Sequence, residues 1–273
     1  MSGMSARSRR LRKRRFGDGT RDEIMTHDPS TEQSARDRAE AAYDALSDRV
    51  ETRMQGALDR IPPQLKPKLR GWLHLGAIPA AALLCLGLLV VADDTADRAA
   101  VAVFTATSLL LFSVSAIYHR GTWEPGMAAF LRRLDHANIF LIIAGTYTPY
   151  AVLLLSPDRA RLLLTLVWTG AIAGVLFRLV WLGAPRWTYV AAYVALGWVA
   201  VFFLPELVRA GGWLVISFML IGGLLYTAGA VVYATKKPDP SPRWFGYHEV
   251  FHALTIAAWL SFYVGIAISL ARA

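Results

Sequence analysis

From Trp72 onward the chain alternates between long apolar runs and short polar links. Seven runs, at about 72–92, 99–118, 134–155, 161–182, 188–207, 212–234 and 246–270, each hold the roughly 20 residues a helix needs to cross a ~30 Å hydrocarbon core. The links DDTADR (93–98), HRGTWEPG (119–126), SPDRAR (156–161), LGAPRW (182–187), PELVRAGG (205–212) and KKPDPSPR (236–243) carry the Pro, Gly and charges that end helices. Strands are excluded because the runs are too long and lack two-residue alternation. The pattern predicts an all-α fold: a seven-transmembrane helix bundle over 65–273, preceded by a cytoplasmic tail, 1–64.

The tail has a different pattern. Ser5 to Arg15 reads SARSRRLRKRR, an Arg block with no apolar segment behind it, so it is not a secretory signal. It reads as a solvated, disordered basic arm whose partner is an anionic lipid surface. Between about Thr31 and Leu58 the apolar positions Tyr43, Leu46, Val50 and Ala57 recur at helical spacing among charges, with Ile61 just beyond. This predicts an amphipathic helix lying on the bilayer or pairing with another helix, and ended by Pro62-Pro63.

Composition agrees with a polytopic membrane protein: of 273 residues 55% are hydrophobic, and the mean hydropathy is +0.38. The net charge of +9 does not point to nucleic acid, because Lys and Arg gather in the tail and at the ends of apolar runs. Placing the tail in the cytoplasm puts Arg120, Arg132, Arg133, Arg186, Lys236, Lys237 and Arg243 inside. Only Arg98, Arg159, Arg161 and Arg209 then fall outside. The positive-inside rule thus predicts a multi-pass protein of the cell membrane with its N-terminus inside and its C-terminus outside. Arg178, near the end of the fourth run, is expected to snorkel to the inner surface. The lone cysteine, Cys85, excludes a disulfide framework and a thiolate-rich metal site.

The chemistry gathers at one depth. His248 and His252 open the last run four residues apart, so both rings leave one helix face close enough to share a metal ion. For this pair alone, capping or snorkelling at the membrane surface is an equal alternative. On the predicted topology His119 ends the second span and Asp135 begins the third at the same inner level. Ser115 stands one turn before His119 on its face. Intramembrane His and Asp are costly unless paired or metal-bound. Three histidines, His119, His248 and His252, suit Zn2+ with one open position, and Asp135 is the candidate to hold or deprotonate water there. A structural polar cluster that packs the helices is the competing reading.

Other polar residues qualify this picture. His248-Glu249-Val250-Phe251-His252 matches the H-E-x-x-H pattern of zinc peptidases, so a membrane-embedded protease competes, although no third ligand follows His252. His136 points about 100° away from Asp135 and is expected against headgroups or a neighbouring helix. His74 shares the depth of the site and is expected to make a structural hydrogen bond rather than touch it. Thr146, Tyr147, Thr148 and Pro149 either line a cavity or satisfy a Pro-kinked backbone.

Ser115-x-x-x-His119, Leu134-Asp135-His136-Ala137-Asn138-Ile139 leading to Gly145-Thr146-Tyr147-Thr148-Pro149, and His248-x-x-x-His252 together resemble the hemolysin III family. That family belongs to the progestin and adiponectin receptor superfamily, and the KPKLRGWLH entry to the first run is similar to the hemolysin III branch. The resemblance covers about 65–270. It implies seven helices with the N-terminus in the cytoplasm, zinc on His119, His248 and His252, and Asp135 holding the water at the metal with Ser115 beside it. It also implies hydrolysis of a lipid amide or ester, since the adiponectin receptors resemble ceramide-type amide hydrolases. The expected partner is therefore a membrane lipid as substrate. A non-enzymatic cytolysin or receptor with structural zinc is the alternative, and the oligomeric state is left open.

Overall fold

The computed structural model describes residues 41–50, 52–53, 67–181 and 185–273. The basic arm at 5–15, most of the predicted amphipathic helix and Pro62-Pro63 lie outside the described residues. Residues 41–50 are helical and expose Tyr43, Leu46 and Val50, the spacing read from the sequence.

From Trp72 onward, within the larger unit Leu46–Ala273, seven α-helices follow one another among the described residues. They are α1 (Trp72–Val91), α2 (Thr95–Arg120), α3 (Pro125–Leu154), α4 (Pro157–Val180), α5 (Arg186–Gly197), α6 (Leu204–Thr235) and α7 (Tyr247–Leu270). A 3-10 turn, Val199–Phe203, joins α5 to α6. No strand occurs among the described residues, only an isolated bridge between Ser241 and Phe245.

Helix starts are written locally. The Asp94 side chain accepts from the Ala96 N–H at 2.7 Å and starts α2. Proline stands in the first turn of α3 and α4, where its missing N–H costs nothing. Because α3 starts at Pro125, it is longer than the predicted run from 134, and Asp135 lies ten residues, ~15 Å, along it. Arg132 and Arg133 lower the hydropathy of this first stretch, yet both are good helix formers.

Residues 187 to 235 form one nearly unbroken helical stretch of 49 residues. As a straight rod it would reach about 74 Å, more than twice the hydrocarbon core. It folds back instead. Tyr189 and Tyr233 both flank His136, whereas Glu206 pairs with Arg159 and Gly211 accepts from Arg272 at the opposite end. The reversal is made at Gly212, whose φ of 70° and ψ of 169° break the helix. The link predicted over 205–212 is thus helical up to its last residue, because Pro205 sits in a first turn and only one glycine is needed to turn the chain.

The fifth span is also broken, between α5 and the 3-10 turn, and Tyr147 repairs it. Its hydroxyl donates to the carbonyls of Gly197 (2.6 Å) and Leu196 (3.3 Å) and accepts from the Ala200 N–H (2.9 Å). Thr146 and Thr148 donate back to the carbonyls of Ile142 and Ala144 ahead of Pro149. Both readings of this motif hold, since Thr146 and Tyr147 also line the central cavity. Irregular backbone inside a membrane survives only where such partners exist.

α3 is the most deeply buried of these spans and α1 among the least. Leu83, Val90, Leu176, Val180 and Phe202 face outward. Trp72, Trp123, Trp181, Trp187 and Trp244 stand exposed near helix ends, as expected for aromatic anchors at a membrane interface. Polar ties cross between helices: Trp259 to Ser108 at 2.8 Å, Tyr150 to the Phe262 carbonyl at 2.8 Å and Ser261 to the Phe218 carbonyl at 2.7 Å. Small residues bring backbones close. A Cβ on Gly145 would stand 2.8 Å from Thr107 Cβ on α2, so Gly145→Ala is expected to lower stability by about 1–3 kcal/mol. Thermal unfolding in detergent measures it, and an unchanged midpoint would contradict this packing.

Candidate metal centre

The last helix begins with a built-in cap. Glu249 accepts the Gly246 N–H at 2.8 Å, and its other oxygen receives Arg70 Nε at 2.6 Å. Arg70 belongs to the segment that enters α1. There Lys68 N–H donates to the Arg243 carbonyl (3.1 Å) and Leu69 N–H to that of Trp244 (3.3 Å), while the Lys68 ammonium lies 4.1 Å over the Trp244 ring. Gly71 ends this segment with a φ of 79°, and a Cβ there would meet His119 Cβ at 2.9 Å. The KPKLRGWLH entry thus straps α1 to the start of α7 and to the end of α2. That strap stands where His119 of α2 meets the His248–His252 pair of α7.

His119, His248 and His252 each offer a ring nitrogen, and the three nitrogens lie within 4.8 Å of one another. His119 Nε2 and His248 Nε2 are 3.0 Å apart. Two lone pairs at that distance repel, so the pair needs a shared proton or a cation between them. Tetrahedral ligation at ~2.0–2.1 Å would set nitrogens about 3.3 Å apart, so the trio needs adjustment on the order of 1 Å at its widest pair. All three are shielded, and the donor set of three imidazoles fits a divalent transition metal.

Asp135 Oδ2 lies 3.8 Å from His119 Nε2, outside the three-nitrogen set. Ser115, 1% exposed, sits against Asp135, but its Oγ falls short of hydrogen-bond geometry and has no hydrogen-bond partner among the described residues. His119, His248, His252, Asp135 and Ser115 therefore stand together, brought there from α2, α3 and α7.

A cavity of about 160 Å³ opens from this cluster into the bundle. Ser115, Asp135, His248 and His252 line its polar end, and Ile142, Leu204, Leu207, Ile216 and Phe262 line its apolar depth. From His252 to Phe262 it follows α7 for ten residues, ~15 Å of axis.

The comparisons agree with this architecture. A family model described as Haemolysin-III related matches residues 64–263. The chain belongs to that family. Among relatives, Hemolysin-3 of Bacillus cereus is 31% identical over 169 residues, covering 60% of this chain and 75% of its own. The Hemolysin-3 homolog of Bacillus subtilis (strain 168) is 30% identical over 163 residues, covering 59% and 72%. As a Haemolysin-III related chain with apolar spanning helices, this is a multi-pass membrane protein.

Several residues of this Haemolysin-III related site stand differently from the sequence expectation. His74 touches it: its ring stacks on His252 with centroids 3.9 Å apart and 8° between planes. Neither of its ring nitrogens has a hydrogen-bond partner among the described residues, so the expected structural bond is not made. Its depth in the first run was the available signal, but the strap that swings α1 over α7 is not local. Arg178 does not snorkel. It is 7% exposed, with Nη2 3.2 Å from His136 Nδ1 and its guanidinium 4.8 Å from the Tyr189 ring. His136 in turn contacts the Tyr233 hydroxyl at 3.0 Å, so it faces neighbouring helices. The aromatic ring of Tyr189 and the acceptor of His136 hold the arginine better than a reach to the surface would.

Glu249, the base demanded by the peptidase pattern, has both oxygens committed to Arg70 and Gly246. Glu249→Gln is expected to cost about 2 kcal/mol by leaving Arg70 unpaired, with metal content unchanged. Turnover lost with the metal retained in that variant, read by activity assay and elemental analysis on one preparation, would restore Glu249 to the site as its base.

Proposed function

We propose that the chain is a zinc-dependent hydrolase of a lipid amide or ester, with the N-terminus in the cytoplasm and the lipid drawn laterally from the membrane. The observation that carries this reading is the junction of a three-histidine cluster with an apolar-lined chamber: polar chemistry at one end, apolar walls behind it.

His119, His248 and His252 would hold the zinc ion, which would supply a Lewis acid for a carbonyl and for water. The chain's own residues do the rest. The chamber walls hold the acyl chain and exclude bulk water, which fixes the scissile carbonyl near His119, His248 and His252. Asp135 Oδ2 takes a proton from the attacking water as its oxygen bonds to the carbonyl carbon. When the carbon–nitrogen or carbon–oxygen bond breaks, Asp135 returns that proton to the leaving amine or alcohol. Ser115 Oγ, which has no hydrogen-bond partner among the described residues, donates to the water or to the carbonyl oxygen. The products are a fatty acid and an amine or alcohol. The basic arm at 5–15 is read as a contact with anionic lipid on the cytoplasmic leaflet.

A second reading takes its support from the names of the Bacillus relatives: a membrane-lytic protein in which the metal is structural. One experiment separates the two. Purified full-length protein in nanodiscs is assayed for metal content and then screened against a lipid extract for products released. One zinc per chain with release of fatty acid supports the hydrolase. Bound zinc with no turnover, and loss of fold on chelation, supports the structural role.

A further inference from the structure

His74 has no part in the proposed reaction, yet it is among the most unusual residues of the site. It is 2% exposed, and both ring nitrogens are buried without a hydrogen-bond partner among the described residues. Such a group is costly to bury and needs an explanation. It also lines the chamber, beside Ser115, Asp135, His248 and His252. A ligand in that chamber is therefore the direct source of the missing partner.

Geometry excludes the simplest alternative, that His74 is a further metal ligand. Its ring lies flat on His252, 3.9 Å between centroids and 8° between planes, with Phe112 packed edge-on at 5.2 Å. Nitrogen lone pairs lie in the ring plane, so two stacked, parallel imidazoles aim along parallel planes that do not meet at one ion. His74 is held beside the three-nitrogen cluster rather than on it. The aromatic sandwich of His252 and Phe112 fixes its orientation.

We propose that His74 recognises the polar head of the lipid, by hydrogen bonding to a hydroxyl group close to the scissile carbonyl. The choice of ligand rests on the lipid-hydrolase reading above. An uncharged imidazole presents one N–H donor and one acceptor, whichever tautomer it takes. A hydroxyl presents one donor and two acceptor sites, so it can satisfy His74 on either side. A carboxylate head could satisfy only the N–H, and an alkyl head neither. Sites that hydrogen-bond a ligand hydroxyl reject the analogue without it, because the protein groups are then left unpaired.

The test uses two probes that differ in that hydroxyl alone, N-(2-hydroxyethyl)dodecanamide and N-ethyldodecanamide. Full-length protein in nanodiscs, stripped of metal so that nothing is turned over, is titrated with each. The wild type is expected to bind the hydroxyl probe about tenfold more tightly. His74→Phe keeps a ring on His252 and is expected to bring the ratio to about one. His74→Gln keeps a donor and an acceptor and is expected to recover most of the preference. Zinc uptake by both variants is expected to match the wild type, which separates head recognition from metal ligation. A wild-type ratio near one overturns the proposal, and so does a His74→Phe ratio equal to that of the wild type. Failure of both probes to bind overturns it together with the lipid reading. A His74-dependent preference without turnover in the zinc-loaded protein leaves His74 as a head-group contact and removes the hydrolase.

Discussion

Asp135→Asn is expected to retain the metal and to slow lipid hydrolysis by about 10²–10⁴-fold, the usual contribution of a positioned general base. The side chain is buried beside His119, with Oδ2 3.8 Å from Nε2 and outside the three-nitrogen set. Asparagine keeps its size and its carbonyl oxygen but cannot accept a proton. Folding should therefore be spared, since Asp135 has no Lys or Arg ion-pair partner among the described residues. Zinc per chain and fatty-acid release are measured on the same preparation. Wild-type turnover would remove Asp135 from the reaction, and loss of zinc would move it into the ligand set.

The second large effect concerns the ligands. His248→Ala removes the nitrogen that lies 3.0 Å from His119 Nε2, leaving two imidazoles that cannot hold a divalent ion against competing water. Changing groups that only orient ligands already costs about 10–100-fold in metal affinity, so losing a ligand should cost at least that much. Binding to the folded state alone stabilises by about 4 kcal/mol when the ion is present at a thousand times its Kd. Added zinc is thus expected to raise the unfolding midpoint of the wild type and to leave that of His248→Ala where it was. An equal zinc-dependent rise in both proteins would show that the ion sits elsewhere.

These expectations rest on residues whose placement was legible to different degrees. The four-residue spacing of His248 and His252 is a property of one helix, and so is Ser115 one turn before His119. Both survive because an α-helix repeats every ~3.6 residues whatever surrounds it. The convergence of His119, Asp135 and the α7 pair followed from counting spans, since alternating helices return to the same membrane face. Arg178 was misread because a local rule, snorkelling, competes with a partner on another helix. His136 and Tyr189 supply that partner. His74 was undervalued for the same reason: nothing within the first run says which neighbour its ring will meet.

The amino-acid sequence by itself determined the class of fold and the number of helices, and its motifs carried the resemblance to the family. Fold class and helix number follow from the length of apolar runs, which short-range geometry dictates. Only the tertiary structure decided which side chains touch. The strap of residues 67–71 against the α7 entry, the turn at Gly212 and the stack of His74 on His252 depend on how helices rotate and slide against each other. Those choices are made by packing between segments far apart in the chain.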